Sequence, residues 1–199
     1  MKNKILFFAI HLFYLHGGLV EQQGLPAFHP RHGRYEYEKI IHAFEEKGFI
    51  VHHKVRSLGP PEHHAEGLAR QVRALIQNGV SAQNIVIAGF SKGGVIALMA
   101  SAKLAEPQIR FVLMAACGEQ IFQGNYSRMV EQTGPQLKGK FLSIYDSSDQ
   151  SAQSCSAFFG RAGGQLQTRE TVLHTGLGHG LFFSPKKEWM NIMMPWIQK

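Results

Sequence analysis

The chain has 199 residues, of which 44% are hydrophobic and 18% are charged. This composition is typical of a folded globular protein and excludes a disordered or fibrous chain, and the length predicts one α/β domain over residues 1–199. The formal net charge of +7 would suit anionic substrates, a membrane surface or nucleic acid, but the basic residues are scattered rather than clustered. That scatter favours a solvated surface, and we expect no nucleic-acid partner.

The first element is an apolar run from Ile5 to Leu15, which follows the basic start of the chain. Basic residues before such a run resemble the first two regions of a signal peptide, but no small-residue cleavage site follows. The run is shorter than the roughly 20 residues that span a bilayer, so we expect no stable membrane insertion. A buried strand ending near Leu15 is favoured, and a targeting segment stays open. A cytoplasmic location is accordingly favoured over an exported one.

Helical and strand patterns alternate along the rest of the chain. A loop rich in Gly, Pro and His over 17–33 comes first, and a polar segment over 118–139 shows little periodicity. The predicted helices cover about 35–47, 62–78, 92–105, 152–161 and 185–197, the last broken or kinked by Pro195. The predicted strands after the first cover about 49–55, 85–88, 109–115, 140–145 and 168–174. This alternation predicts an α/β fold with a mostly parallel six-stranded sheet and helices on both faces.

A G-x-S-x-G motif, Gly89-Phe90-Ser91-Lys92-Gly93, joins the strand at 85–88 to the helix that follows. A serine at the apex of such a strand–turn–helix is held in a strained conformation, with its hydroxyl exposed above the sheet. The first N–H groups of the helix can stabilise a negative charge that develops beside it. The alternative is a glycine-rich turn with an incidental serine, because short motifs also match by chance.

Chemically reactive residues follow four of the predicted strands. In a parallel sheet, functional groups lie on the loops at the carboxyl ends of the strands. The four loops carry His16-Gly17-Gly18, the Ser91 turn, Asp146-Ser147-Ser148-Asp149 and Gly178-His179-Gly180. Ser, Asp and His occur along the chain in the order expected for a hydrolase triad on this kind of sheet.

With these motifs the chain resembles the α/β-hydrolases over nearly its whole length, in particular small members with little lid such as carboxylesterases and dienelactone hydrolases. The resemblance implies a minimal α/β-hydrolase fold and a cofactor-free serine hydrolase that cleaves a small-molecule carboxylic ester or thioester through an acyl-enzyme. It implies Ser91 as nucleophile, His179 as base and Asp149 as acid. The backbone N–H groups of Gly18 and Lys92 would form the oxyanion hole.

Several assignments stay open at this stage. Asp149 is favoured over Asp146 as the acid, because Asp146 is expected to end the strand or cap the turn. His16 is expected to support the oxyanion loop and Phe182 to pack in the core or at the rim of the last helix, while a substrate contact stays open for both. Lys92 places a cation beside the nucleophile, which leaves the substrate preference undecided.

The alternatives for the function are an acyltransferase or peptidase with the same triad, or a catalytically silent ligand-binding protein on the same fold. The oligomeric state stays open. Cys117 and Cys155 provide neither a disulfide framework nor zinc-type spacing, although they could form one bridge. The histidine pairs 52–53 and 63–64 suggest metal binding, but neighbouring strand residues face opposite sides, and we expect no metal site.

Overall fold

The computed structural model describes residues 9–164 and 166–198. The basic start of the chain and positions 5–8 of the predicted first strand lie outside the described residues.

A parallel sheet forms the centre of the molecule. The strands in the described part of the chain are β1 (His11–Leu15), β2 (Ala27–His29), β3 (Gly33–Tyr35), β4 (Ile50–His53), β5 (Ile85–Phe90), β6 (Arg110–Met114), β7 (Lys140–Asp146) and β8 (Gln167–Leu173). Strands β2 and β3 form a small antiparallel hairpin, and the other six form one sheet in the order β4-β1-β5-β6-β7-β8. All five pairings within this sheet are parallel, which confirms the predicted fold class.

Helices cover both faces of the sheet. They are α1 (Gly18–Gln23), α2 (Tyr37–Glu45), α3 (Pro61–Gln77), α4 (Lys92–Leu104), α5 (Tyr126–Thr133), α6 (Ser156–Arg161) and α7 (Lys187–Ile197), with single 3-10 turns at Ala82–Asn84, Gly134–Gln136 and Gly178–Phe183. Helices α3 to α6 pack on one face, and α2 and α7 pack on the other. Each face of the sheet has its own hydrophobic core, and strand β5 contributes side chains to both. Ile85 and Ile87 point to the first face, while Val86 and Ala88 point to the second.

The observed elements differ from the predicted ones mainly in the loops. The segment 17–33 contains α1 and strand β2, and the polar segment 118–139 contains α5, which buries Tyr126 and Val130. Helix α6 begins at Ser156 rather than near Ala152, because the residues before it are held in a turn around Asp149. Helix α7 continues through Pro195 to the buried Ile197, so the proline does not break the helix.

A disulfide bond joins Cys117, just after β6, to Cys155, just before α6. The same two segments are joined by a hydrogen bond of 2.7 Å from the N–H of Gln153 to the carbonyl of Cys117. The bridge therefore closes the segment that carries the loop after β7. Within residues 9–164 and 166–198, no helix combines the length and the apolar character needed to cross a membrane.

Candidate active site

Ser91 lies at a very sharp turn between β5 and α4. Its φ of 54° and ψ of −122° are strained for a residue other than glycine. A Cβ on Gly89 would lie 2.2 Å from the carbonyl oxygen of Gly93, and a Cβ on Gly93 would lie 2.1 Å from that of Leu15. Both flanking glycines are therefore required for the close approach of strand and helix, which leaves Ser91 partly exposed at the carboxyl edge of the sheet.

His179 and Asp149 meet at the same edge. The Nδ1 atom of His179, on the 3-10 turn after β8, lies 2.7 Å from Oδ2 of Asp149, whose side chain is 1% exposed. The other oxygen, Oδ1, accepts the backbone N–H groups of Ser151 and Ala152 at 2.9 and 3.2 Å. Because Nδ1 donates to the carboxylate, Nε2 of the neutral imidazole carries the lone pair. The ring is centred 4.7 Å from that of Phe90, beside the Ser91 turn.

Asp146 makes a different set of contacts. Its carboxylate is fully buried and accepts hydrogen bonds from the backbone N–H and hydroxyl groups of Ser148 and Thr175. Burial alone would raise the pKa of Asp146, but these four donors hold the pKa well below its ordinary value. Asp146 thus ties the end of β7 to the segment after β8, as expected for a residue that stabilises a turn.

The segments that carry Gly18 and Lys92 lie side by side at the start of α1 and α4. A Cβ on Gly18 would lie 3.8 Å from the Lys92 side chain, and one on Gly17 would lie 3.4 Å from Cβ of Ser91. Ser91, Gly18 and Lys92 line one open cleft of about 930 Å³. Its apolar wall consists of side chains from α4, α5 and the loop before α5, namely Val95, Met99, Ile121, Phe122 and Met129. A second cavity of about 590 Å³ includes His179 and Asp149.

An ionic cluster next to the Ser91 turn has no signature in the sequence. The fully buried carboxylate of Glu21, on α1, accepts a hydrogen bond from Nε of Arg56 at 2.9 Å and pairs with the ammonium group of Lys92. Lys92 also donates to the carbonyl of Gly59 at 2.8 Å. The cation next to Ser91 is therefore paired with a carboxylate, and the sequence pattern pointed to neither Glu21 nor Arg56.

His16 and Phe182 are both buried, with exposed fractions of 0% and 1%. His16 donates from Nδ1 to the carbonyl of Gly17 at 2.8 Å and accepts the N–H of Arg56 on Nε2 at 2.9 Å. Burial and the charge of Arg56 lower the pKa of His16 to about 4, so this imidazole is neutral at pH 7. Phe182 packs between Phe90 and the core helix α7. These buried positions fit the expected support of the site, and the substrate contact that the sequence left open for both residues stays a prediction.

His52, from one of the two histidine pairs that suggested metal binding, contacts another histidine. His11 and His52 lie on neighbouring strands, with a ring nitrogen of each 2.9 Å apart. In the described part of the chain, no group of three or more His, Cys, Asp or Glu residues converges in a way that could hold a metal ion.

The family model described as phospholipase/carboxylesterase matches residues 62–132, which include the Ser91 turn. No curated protein matches the sequence.

Solved structures match at low identity. A putative carboxylesterase from Lactobacillus plantarum is 15% identical with a TM-score of 0.65, over 96% of this chain and 88% of that one. A putative dienelactone hydrolase from Klebsiella pneumoniae is also 15% identical, with a TM-score of 0.63 and the same coverage. The dipeptidyl peptidase 4 of Porphyromonas gingivalis is 14% identical with a TM-score of 0.62, and this chain, matched over 96% of its residues, spans 31% of that protein. These structures share the fold of this chain.

Proposed function

We propose that this chain, an α/β-hydrolase by its fold and its local family match, is a serine hydrolase that cleaves a carboxylic ester or thioester of a small molecule. One observation carries the proposal. Ser91, on a strained turn, and the hydrogen-bonded pair of His179 and Asp149 occur together at one edge of the sheet.

In the proposed reaction, Nε2 of His179 removes the proton from the hydroxyl of Ser91, whose oxygen attacks the carbonyl carbon of the substrate. Asp149 holds the imidazole in the tautomer that can accept this proton, and stabilises the imidazolium that forms. The negative charge on the former carbonyl oxygen is stabilised by the backbone N–H groups of Gly18 and Lys92. When the intermediate collapses, His179 gives the proton to the leaving alcohol or thiol. Water then hydrolyses the acyl-enzyme by the same steps.

The shape of the cleft supports a short or medium acyl group. The apolar wall formed by Val95, Met99 and Ile121 can accept a few methylene groups. The connection between β6 and β7 contains only the short α5 and a 3-10 turn, and the cleft beside it is open. We therefore propose soluble substrates rather than lipid aggregates.

The test is labelling with a fluorophosphonate, which reacts only with an activated serine, together with turnover of p-nitrophenyl esters of increasing chain length. Ser91→Ala should abolish labelling and reduce turnover by several orders of magnitude while the fold is retained. Ser147→Ala is the matched control, since Ser147 is an exposed serine at the same sheet edge that bonds His174. Absence of labelling in the wild-type protein would favour a ligand-binding protein without catalysis. Transfer of the acyl group to an added alcohol or amine in preference to water would identify an acyltransferase.

A further inference from the structure

We propose that Glu21 is a positioning residue for this reaction, because its ion pair with the Lys92 side chain fixes the spacing between the two donors of the oxyanion hole. The inference rests on the proposed function, since it concerns how the same site stabilises charge. It assigns a role to a buried carboxylate that takes no part in the triad.

The ion pair and the proposed oxyanion hole connect the same two segments, α1 and the start of α4. Glu21 and Gly18 lie on α1, three residues apart and therefore on neighbouring positions of one helical face. Lys92 contributes its backbone N–H to the proposed hole and its ammonium group to Glu21. Each half of the hole is thus attached to one partner of the ion pair. A change in the distance between carboxylate and ammonium would be transmitted to the distance between the two N–H groups.

Glu21 is itself held rigidly. Arg56 donates from Nε to the carboxylate at 2.9 Å, and its guanidinium group also donates to the carbonyl of His16. The N–H of Arg56 binds the ring of His16, whose other nitrogen donates to the carbonyl of Gly17. The chain from His16 to Glu21 is therefore attached to Arg56 at three points. Donors held in this way need not reorganise when the oxyanion forms, which is the main source of their catalytic effect.

The burial of the pair also favours a geometric role. The Glu21 side chain is 0% exposed, while that of Lys92 is 26% exposed. Compared with apolar side chains of similar volume, a buried ion pair contributes little net stability, because both charges lose their hydration. What the pair does provide is a fixed direction and distance between two backbone segments.

Lys92→Met tests the inference most directly, since it removes the ammonium group and keeps the backbone N–H. Glu21 remains paired with Arg56 in this variant, so the buried carboxylate keeps a partner. We expect kcat to fall by about 10- to 100-fold with KM changed less than about threefold, because misplaced donors weaken binding of the transition state rather than of the substrate. The Ki of an alkylboronic acid, which forms a tetrahedral adduct on the serine, should rise by a similar factor. Lys92→Arg, which can still pair with Glu21, should recover most of the lost kcat.

Lys103→Met is the matched control, since it makes the same substitution on the same helix. The exposed pair of Lys103 with Glu66, at 3.2 Å, lies away from the cleft, so kcat and Ki should stay at wild-type values. Glu21→Gln should reproduce the effect of Lys92→Met, and the double variant should be no worse than the more impaired single one. If Glu21→Gln does not fold, the two Lys92 variants decide the question.

The inference is overturned if Lys92→Met keeps wild-type kcat and Ki, if Lys92→Arg is as impaired as Lys92→Met, or if the losses of Glu21→Gln and Lys92→Met multiply. If the Lys92 and Glu21 variants lose thermal stability but keep the wild-type kcat, the ion pair has a purely structural role and the inference is likewise overturned. These outcomes can be distinguished from failure of the proposed function. In that case the wild-type protein neither reacts with the fluorophosphonate nor hydrolyses the esters, and both proposals fall.

Discussion

Replacement of Asp149 by Asn tests which carboxylate acts as the acid. The substitution keeps the size of the side chain but turns one oxygen into an NH₂ donor. The N–H groups of Ser151 and Ala152 both donate to Oδ1, so the remaining oxygen of Asn should stay there. The new NH₂ group then faces Nδ1 of His179, which must accept a hydrogen bond instead of donating one. The imidazole proton moves to Nε2, and this tautomer cannot take the proton of Ser91.

The expected magnitude follows from this tautomer change. A wrong tautomer in a serine-hydrolase triad reduces kcat by about 10⁴-fold, which corresponds to about 5.5 kcal/mol at about 1.4 kcal/mol per factor of ten. KM should change little, because Asp149 is buried behind His179 and does not reach the cleft. Stability should fall by less than about 2 kcal/mol, since two of the three hydrogen bonds of the side chain are retained.

The matched control is Asp146→Asn, measured with the same p-nitrophenyl ester and by urea unfolding. The Asp146 carboxylate accepts donors from Ser148 on one oxygen and from Thr175 on the other, and an NH₂ group can accept from neither. We expect this variant to lose about 2–4 kcal/mol of stability and to keep most of its kcat. The reasoning is refuted if Asp149→Asn keeps more than about a tenth of the wild-type kcat. A folded but inactive Asp146→Asn would transfer the role of the acid to that residue.

Two further predictions concern stability. His16 has a pKa of about 4 in the folded protein against an ordinary 6.5, so the unfolded chain binds the extra proton first. His16 should therefore lower the stability by about 3 kcal/mol as the pH drops from about 6.5 to 4, and His16→Gln should remove this part of the pH dependence in urea unfolding between pH 7 and 4.5. A smaller dependence should remain, because burial also lowers the pKa values of His32, His52 and His64. Below that range the protein should lose further stability because of Asp146. The pKa of its carboxyl group is lower in the folded protein than in the unfolded chain, so acid protonates the unfolded chain first. The variant with both Cys117→Ala and Cys155→Ala should lose about 2–4 kcal/mol, and a reducing agent should destabilise the wild-type protein but not this variant.

The sheet and its main helices could be predicted because their signals are local. The run at 85–90 is apolar throughout, as expected for a strand buried on both faces. Helix α3 was placed within one residue of its observed bounds by helical spacing together with the flanking Pro60-Pro61 and Gly79. The short elements α1 and β2 were missed for a physical reason. Each is too short to show a period. Helix α1 is held by the contact of Glu21 with the distant Arg56, and β2 pairs with β3, which the Tyr14–Tyr35 hydroxyl pair anchors to β1.

The candidate site was predictable to different depths. The Ser91 turn has a signature of five residues, in which Gly89 is needed for a contact inside the motif and Gly93 for a close approach to Leu15 on β1. The choice between Asp146 and Asp149 came from the expected turn-capping role of Asp146 and from a resemblance, since both residues follow one strand. What separates them in space is Thr175, which occupies one oxygen of Asp146 from another loop. The ion pair of Glu21 and Arg56 joins residues 35 positions apart with no characteristic spacing, so only the folded chain reveals it.

The charges around Ser91 bear on the substrate preference that the sequence left open. A free ammonium group beside the nucleophile would attract anionic acyl groups, and the net charge of +7 would reinforce that attraction. In the folded chain the Lys92 ammonium group is instead paired with a fully buried carboxylate and bonded to the Gly59 carbonyl. The same carboxylate also pairs with Arg56, so one negative group faces two cations and the cluster keeps a net positive charge beside Ser91 and the apolar wall of α4 and α5. We therefore expect the site to accept neutral or anionic acyl groups and to disfavour cationic ones, which turnover of esters matched in size but differing in charge would check.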